Sequence, residues 1–160
     1  MVTTLKYTSD NLTSSDTLTL LSRDSNATPL TDSDTVSITV TPVNDAPAGT
    51  DKTITTLEDI AYTLTVADFG FSDVSDSPAN SLLTVKITQL PSSGTLKLSG
   101  VDVLLNQLVA ATDITGGLLV FTPAANANGA ANANFKFAVQ DNGGTSNNGV
   151  DLDPTANTIS

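Results

Sequence analysis

Apolar and polar residues alternate one by one through Val36-Ser37-Ile38-Thr39-Val40-Thr41, and the run ends at Val43-Asn44-Asp45-Ala46-Pro47. Strict alternation sends successive side chains to opposite faces, so this is the pattern of a half-buried strand. The same kind of strand begins again at Thr158-Ile159-Ser160. The chain therefore reads as the tail of one repeat (1–42), an acidic joint (43–47) and a second repeat (48–160) lacking its last strand end. A repeated β module with an acidic joint points to a spacer rather than to an enzyme.

The repeat can be aligned by eye. Leu5-Lys6-Tyr7-Thr8 matches Leu119-Val120-Phe121-Thr122, and Thr17-Leu18-Thr19-Leu20 matches Asn134-Phe135-Lys136-Phe137. Asp24 matches Asp141, and Thr35-Val36-Ser37 matches Thr158-Ile159-Ser160. The offsets grow from 114 through 117 to 123 residues, so the second copy has longer loops. Solenoid units run to about 20–50 residues, so a period of this length describes a whole domain.

Composition narrows the chemistry. The 160 residues contain no Cys and no His, which removes thiol chemistry, disulfides and the commonest zinc ligand and general base. Net charge is −11, carried by 16 Asp and one Glu against five Lys and one Arg. Asp is short, favours turns and is a hard-oxygen ligand on loops, so this excess points to turns, calcium or both. A charge of this sign argues against nucleic acid, which needs a basic stripe, and against anionic lipid. No apolar run reaches the ~18 residues of a spanning helix, so no membrane insertion is expected. Met1 to Lys6 lacks an apolar signal core, so a secretion signal would lie outside this stretch.

The rest of the chain also reads as β. Alternation recurs in 53–55, 61–66, 83–88, 95–98, 117–122 and 135–139, separated by turns such as Pro91-Ser92-Ser93-Gly94 and Asn142-Gly143-Gly144. The 26 Thr suit exposed strand faces. About seven short strands make an all-β sandwich the leading architecture. Its expected core is Ile54, Tyr62, Leu64, Val66, Phe69, Phe71, Val85, Ile87, Leu96, Leu98, Val103, Leu119, Phe121, Phe135, Phe137 and Val139. Leu104 to Ile114 lacks Gly and Pro and fits either a short helix or an irregular strand. The low-complexity stretch 124–134 reads as a connector.

No catalytic constellation is present: there is no nucleophile elbow, no phosphate loop and no carboxylate pair marked by its spacing. The acidic groups fall instead on predicted loops and strand ends. Asn44 and Asp45 lie in the joint, Glu58 and Asp59 between two strand patterns, Asp73 and Asp76 in one loop, and Asp141 at a strand end. A sandwich gathers its loops at two poles, and calcium collects six to eight such oxygens. Each Asp alone also reads as a turn former bonding its own backbone. The loop at Asp73 lacks the Gly and terminal Glu of an EF-hand.

Four runs together carry a resemblance: Leu57-Glu58-Asp59-Ile60, Ala67-Asp68-Phe69-Gly70-Phe71-Ser72-Asp73, Leu90-Pro91-Ser92-Ser93-Gly94-Thr95-Leu96, and Val120 to Gly129. With the Val-Asn-Asp-Ala-Pro joint they make the chain resemble the cadherin-like tandem repeats of large bacterial surface adhesins, RTX-type adhesins among them. The resemblance covers 40–160 well and 5–39 more loosely. It implies a Greek-key, Ig-like or cadherin-like sandwich of about seven strands, secretion to the bacterial cell surface, and Ca2+ between modules. It also implies roles. Asn44 and Asp45 match the calcium-binding linker, Asp73 and Asp76 the acidic loop, and Asp141 the Asp ending the penultimate strand. Glu58, with Asp59 beside it, matches the acidic residue serving the far pole. Where relatives carry Asp-Gly-Asp this chain has Ser75-Asp76-Ser77, and Ser25-Asn26 replaces the Asn-Gly-Gly turn after Asp24.

Two functions remain open at this stage. One is a calcium-stiffened extender, monomeric, partnered by neighbouring repeats, with host or biofilm glycans or proteins met through other regions. The other is a carbohydrate- or protein-binding sandwich that makes the adhesive contact itself. Sugar-binding faces display exposed aromatics, and this chain has no Trp.

Overall fold

The computed structural model describes residues 15–25, 27, 28, 30–129 and 133–160. The repeat anchor at 5–8 lies outside them. Two compact units are present, Met1–Val43 and Asn44–Ser160.

In the first unit β1 (Ser15–Arg23) pairs antiparallel with β2 (Thr31–Thr39), from Ser15 opposite Thr39 to Arg23 opposite Thr31. Asp24 closes the hairpin by donating its N–H to the Leu30 carbonyl and accepting the Leu30 N–H through Oδ1 at 3.1 Å. Alternation suffices to make the ladder, but only Leu18 and Ile38 are half-buried among its eighteen residues. A two-stranded ribbon has no second layer against which to bury a face.

The second unit holds eight strands among the described residues. They are β3 (Tyr62–Thr63), β4 (Leu82–Gln89), β5 (Thr95–Leu98), β6 (Val101–Asp102), β7 (Leu108–Ala110), β8 (Leu119–Thr122), β9 (Phe135–Asp141) and β10 (Asn157–Ile159). One sheet has the order β10-β9-β4-β7 and the other β3-β8-β5-β6, each antiparallel throughout. Most neighbours in a sheet are distant in the chain, the wiring of a Greek-key, Ig-like sandwich. Inward residues of the two sheets meet in one core: Val85, Ile87, Val109, Phe135, Phe137 and Val139 from the first, Leu96 and Leu119 from the second. Leu64, Phe69 and Val103 join them from the connecting segments. Phe69 and Phe137 stack edge to face at 4.9 Å.

The expected core residues are all there. Ten are buried, and Ile54, Tyr62, Val66, Phe71, Leu98 and Phe121 pack against them from partly exposed positions. Val109, Ile114 and Ile159 complete the core and were not anticipated. The stretch 104–114 combines both options left open for it, because β7 runs straight into the one-turn helix α1 (Ala111–Thr115). The 61–66 pattern makes only a two-residue strand. Its second half turns into a 3-10 segment at Val66–Phe69, held by Asp68, whose carboxylate accepts the Thr65 N–H and hydroxyl at 2.8 Å. Residues 53–55 form no strand ladder; they lie alongside the chain end through Lys52 and Ile54, whose N–H groups donate to Thr158 and Ser160. Gly94 closes the β4–β5 turn at φ +77°, where a Cβ would strike the Thr122 carbonyl and stand 2.9 Å from the Phe121 ring.

Candidate metal centre

Strand β9 explains how an aspartate comes to be buried. Phe135, Phe137, Val139 and Asp141 share one face by alternation, so Asp141 ends the core-facing row and is fully inaccessible. Its Oδ1 accepts the Gly143 N–H at 2.8 Å, which shapes the Asn142-Gly143-Gly144 turn. The Asn44 carboxamide nitrogen sits over both carboxylate oxygens, 3.0 and 3.3 Å away, and 2.8 Å from the Val150 carbonyl. The Asn44 carbonyl in turn accepts the Val150 N–H. The residues expected in the joint are thus bonded into the second unit from Asn44 onward.

The acidic loop completes this pole. Asp73 follows a β-bridge between Ala48 and Ser72 and is 7% exposed. Its Oδ2 accepts the Asn80 N–H at 2.6 Å. Its Oδ1 is buried with no hydrogen-bond partner. Asp76 Oδ2 accepts the Asp45 N–H at 3.0 Å and the Asn80 side-chain amide at 3.3 Å. The Asn80 amide also donates to Asn44 Oδ1. Asn44, Asp45, Asp73, Asp76 and Asp141 are therefore brought into one network.

Burial raises the Asp141 carboxyl above the ordinary Asp value, with the charges of Asp73 and Asp151 adding to the rise. The Gly143 N–H and the Asn44 carboxamide act in the opposite direction. Carboxylate oxygens, one of them buried without a donor, and an excess of negative charge are the kind of chemistry a hard divalent cation takes. Among the described residues, however, no three carboxylates are grouped closely enough to hold an ion as they stand. Carboxamide nitrogens lie between them.

Glu58 and Asp59 stand elsewhere. They form a turn closed by the Ile60 N–H on Leu57, with Asp59 at φ +64° and its Oδ1 accepting from the Asn126 N–H at 3.3 Å. Glu58 lines a cavity of about 480 Å³ beside Ile54, Phe121, Phe135 and Ser160. That places it at the Phe135 end of β9, six residues or roughly 20 Å from Asp141. The structure separates this pair from the other five residues, and among the described residues no further acidic group is clustered with it.

Three polar residues escaped the sequence reading. Asn80 is the hub of the acidic loop, and its only signal is its position two residues before β4. Asp151 reaches the centre through the main chain, its carbonyl accepting the Asp141 N–H. Asp153 is a buried structural group; its carboxylate accepts from Gly49, Thr155 and Asn157.

No helix among the described residues is long and apolar enough to cross a membrane. No curated protein and no solved structure matches the chain. A family model described as the bacterial Ig domain matches residues 44–153, more than half of the chain and every strand of the sandwich described above except β10. With that match, and with two antiparallel sheets closed on one core, the chain belongs to the bacterial Ig domain family.

Proposed function

We propose that this module is a calcium-stiffened extender of a large bacterial surface adhesin, secreted to the cell surface, where it spaces a terminal ligand-binding region from the cell. The observation that carries this reading is the Asp73 oxygen, buried without a donor beside Asp141, in a network that includes the first residues after the inter-repeat break. Asn44, Asp45, Asp73, Asp76 and Asp141 are the groups that would hold the ion. Neutralising their charge would favour the network and stiffen the chain where one repeat hands over to the next. Glu58 and Asp59 would serve the opposite pole together with a following joint. The spacer role is supported over a sugar-binding one by the aromatics. Every described Phe and Tyr is buried in the core or packed against it, which leaves no stacking platform among the described residues. We assign no catalysis to the module, because its sequence has no His, no Cys and no catalytic motif.

Thermal melting with calcium, with EDTA and with magnesium tests this. Extracellular modules bind calcium at ~0.1–1 mM, so a millimolar excess is expected to add roughly 1–2 kcal/mol per site. Asp45→Ala and Asp141→Ala should each erase most of the gain, and the exposed Asp102→Ala should not. An identical melting temperature in calcium and EDTA would reduce the cluster to turn-forming residues.

A further inference from the structure

Between the carboxylates of the pole lie two side-chain amides. The Asn44 nitrogen has three oxygens around it, the two of Asp141 at 3.0 and 3.3 Å and the Val150 carbonyl at 2.8 Å. A main-chain carbonyl only accepts, so it is the nitrogen of Asn44 that faces it. The Asn80 nitrogen lies between Asn44 Oδ1 and Asp76 Oδ2. Gly143 makes room for the pair, since a Cβ there would collide with both carboxamides. Among the buried side-chain oxygens described at this pole, only Asp73 Oδ1 is left without a donor.

We propose that the Asn44 and Asn80 carboxamides are an internal substitute for the cation: they hold the pole closed without metal and turn over to admit it. The inference deepens the calcium reading and rests on it. A carboxamide rotated half a turn about its terminal bond keeps its shape and exchanges N for O. The Asn44 oxygen would then face the Asp141 carboxylate and the Val150 carbonyl, an all-acceptor shell that only a cation can fill. The amides thus set a threshold. The ion must displace at least three donated hydrogen bonds, which keeps the site weak and the metal-free pole ordered.

The test uses the whole chain. Side-chain amide NMR should show the Asn44 and Asn80 NH2 groups slowly exchanging in EDTA, with both resonances shifting on calcium addition. Asn44→Asp removes the donor and supplies an oxygen. It should melt several degrees lower in EDTA and bind calcium on the order of tenfold more tightly, as ligand charge count tunes such sites. Asn80→Asp provides the same comparison if the first variant does not fold. A wild-type calcium response with both amide resonances unmoved would overturn the substitution while leaving the calcium reading intact. Freely exchanging amides in EDTA would overturn it as well. No calcium response in wild type or variant, with the metal-free loss still present, would sink the calcium reading and the inference with it.

Discussion

Replacing Asp153 by Ala should be one of the most damaging single changes outside the apolar core. The carboxylate is 6% exposed and accepts three N–H groups, from Gly49 and Thr155 at 2.8 Å and from the Asn157 side chain at 2.9 Å. Through Gly49 it adds to the main-chain bonds that join the segment ahead of β3 to the β10 end, and through Thr155 and Asn157 it holds the turn that leads into β10. Hydrogen bonds to a charged group contribute about 1.5–3 kcal/mol each. The sum is not reached, because Thr155 is exposed and its N–H would be rehydrated. Removing the carboxylate also relieves its own desolvation. A net loss of about 3 kcal/mol follows. The unit from Asn44 to Ser160 has 117 residues, and at about 2.1 cal/mol/K per residue that loss lowers Tm by roughly 12 °C. Melting in EDTA keeps metal out of the comparison. Asp153→Asn, which keeps one acceptor oxygen, should lie between Ala and wild type. Asp102→Ala, which removes only an exposed ion pair with Lys97, should stay within about 0.5 kcal/mol. A drop for Asp153→Ala no larger than that of Asp102→Ala would mean that the three bonds contribute nothing net to stability.

Gly94 and Gly100 both have positive φ, yet a Cβ at Gly94 meets Thr122 and Phe121 while one at Gly100 meets nothing. Gly94→Ala should therefore cost well over the ~1 kcal/mol of left-handed strain expected for Gly100→Ala, and equal losses in urea titrations would refute the clash. Phe137→Ala empties the centre of the core and removes the ring contact with Phe69, so a loss of about 3–5 kcal/mol is expected by denaturant unfolding. Asp141 gives a pH signature. Its folded carboxyl titrates above its unfolded value of 3.8, so the folded state holds the proton more tightly. Its contribution to stability in EDTA should then fall as pH rises through the window above 3.8, and be flat below it. The stability difference between wild type and Asp141→Asn should show that fall; a wild type that gains on the variant with rising pH would contradict it.

The β architecture and most of the core were legible in the residue order because alternation is a local property. The rows Val85-Ile87 and Phe135-Phe137-Val139 face inward wherever the strands are placed. Length was less legible. β3 stops after Thr63 because Asp68 bonds back to Thr65, a competition between side chain and ladder that alternation does not reveal. Residues 108–115 hold a strand and a helical turn in succession, since β7 is recruited by β4 across the chain and not by its own pattern. The acidic residues divide the same way. Their placement at strand ends and loops followed from the sequence, whereas the separation of Glu58 from Asp141 was only implied by the resemblance and is made by the fold, which sets Glu58 near the Phe135 end of β9. Whether a given Asp is a ligand candidate, a buried tie or an exposed turn did not follow from the sequence. Asp153 and Asp102 look alike as letters; one is enclosed by three donors and the other lies on an edge strand. Asn80 has no sequence signature beyond its place just ahead of β4. The sequence by itself determined the strand period, the faces and the loops that carry charge. Only the tertiary structure decided which of those charges meet, because burial and partner geometry come from segments about a hundred residues apart.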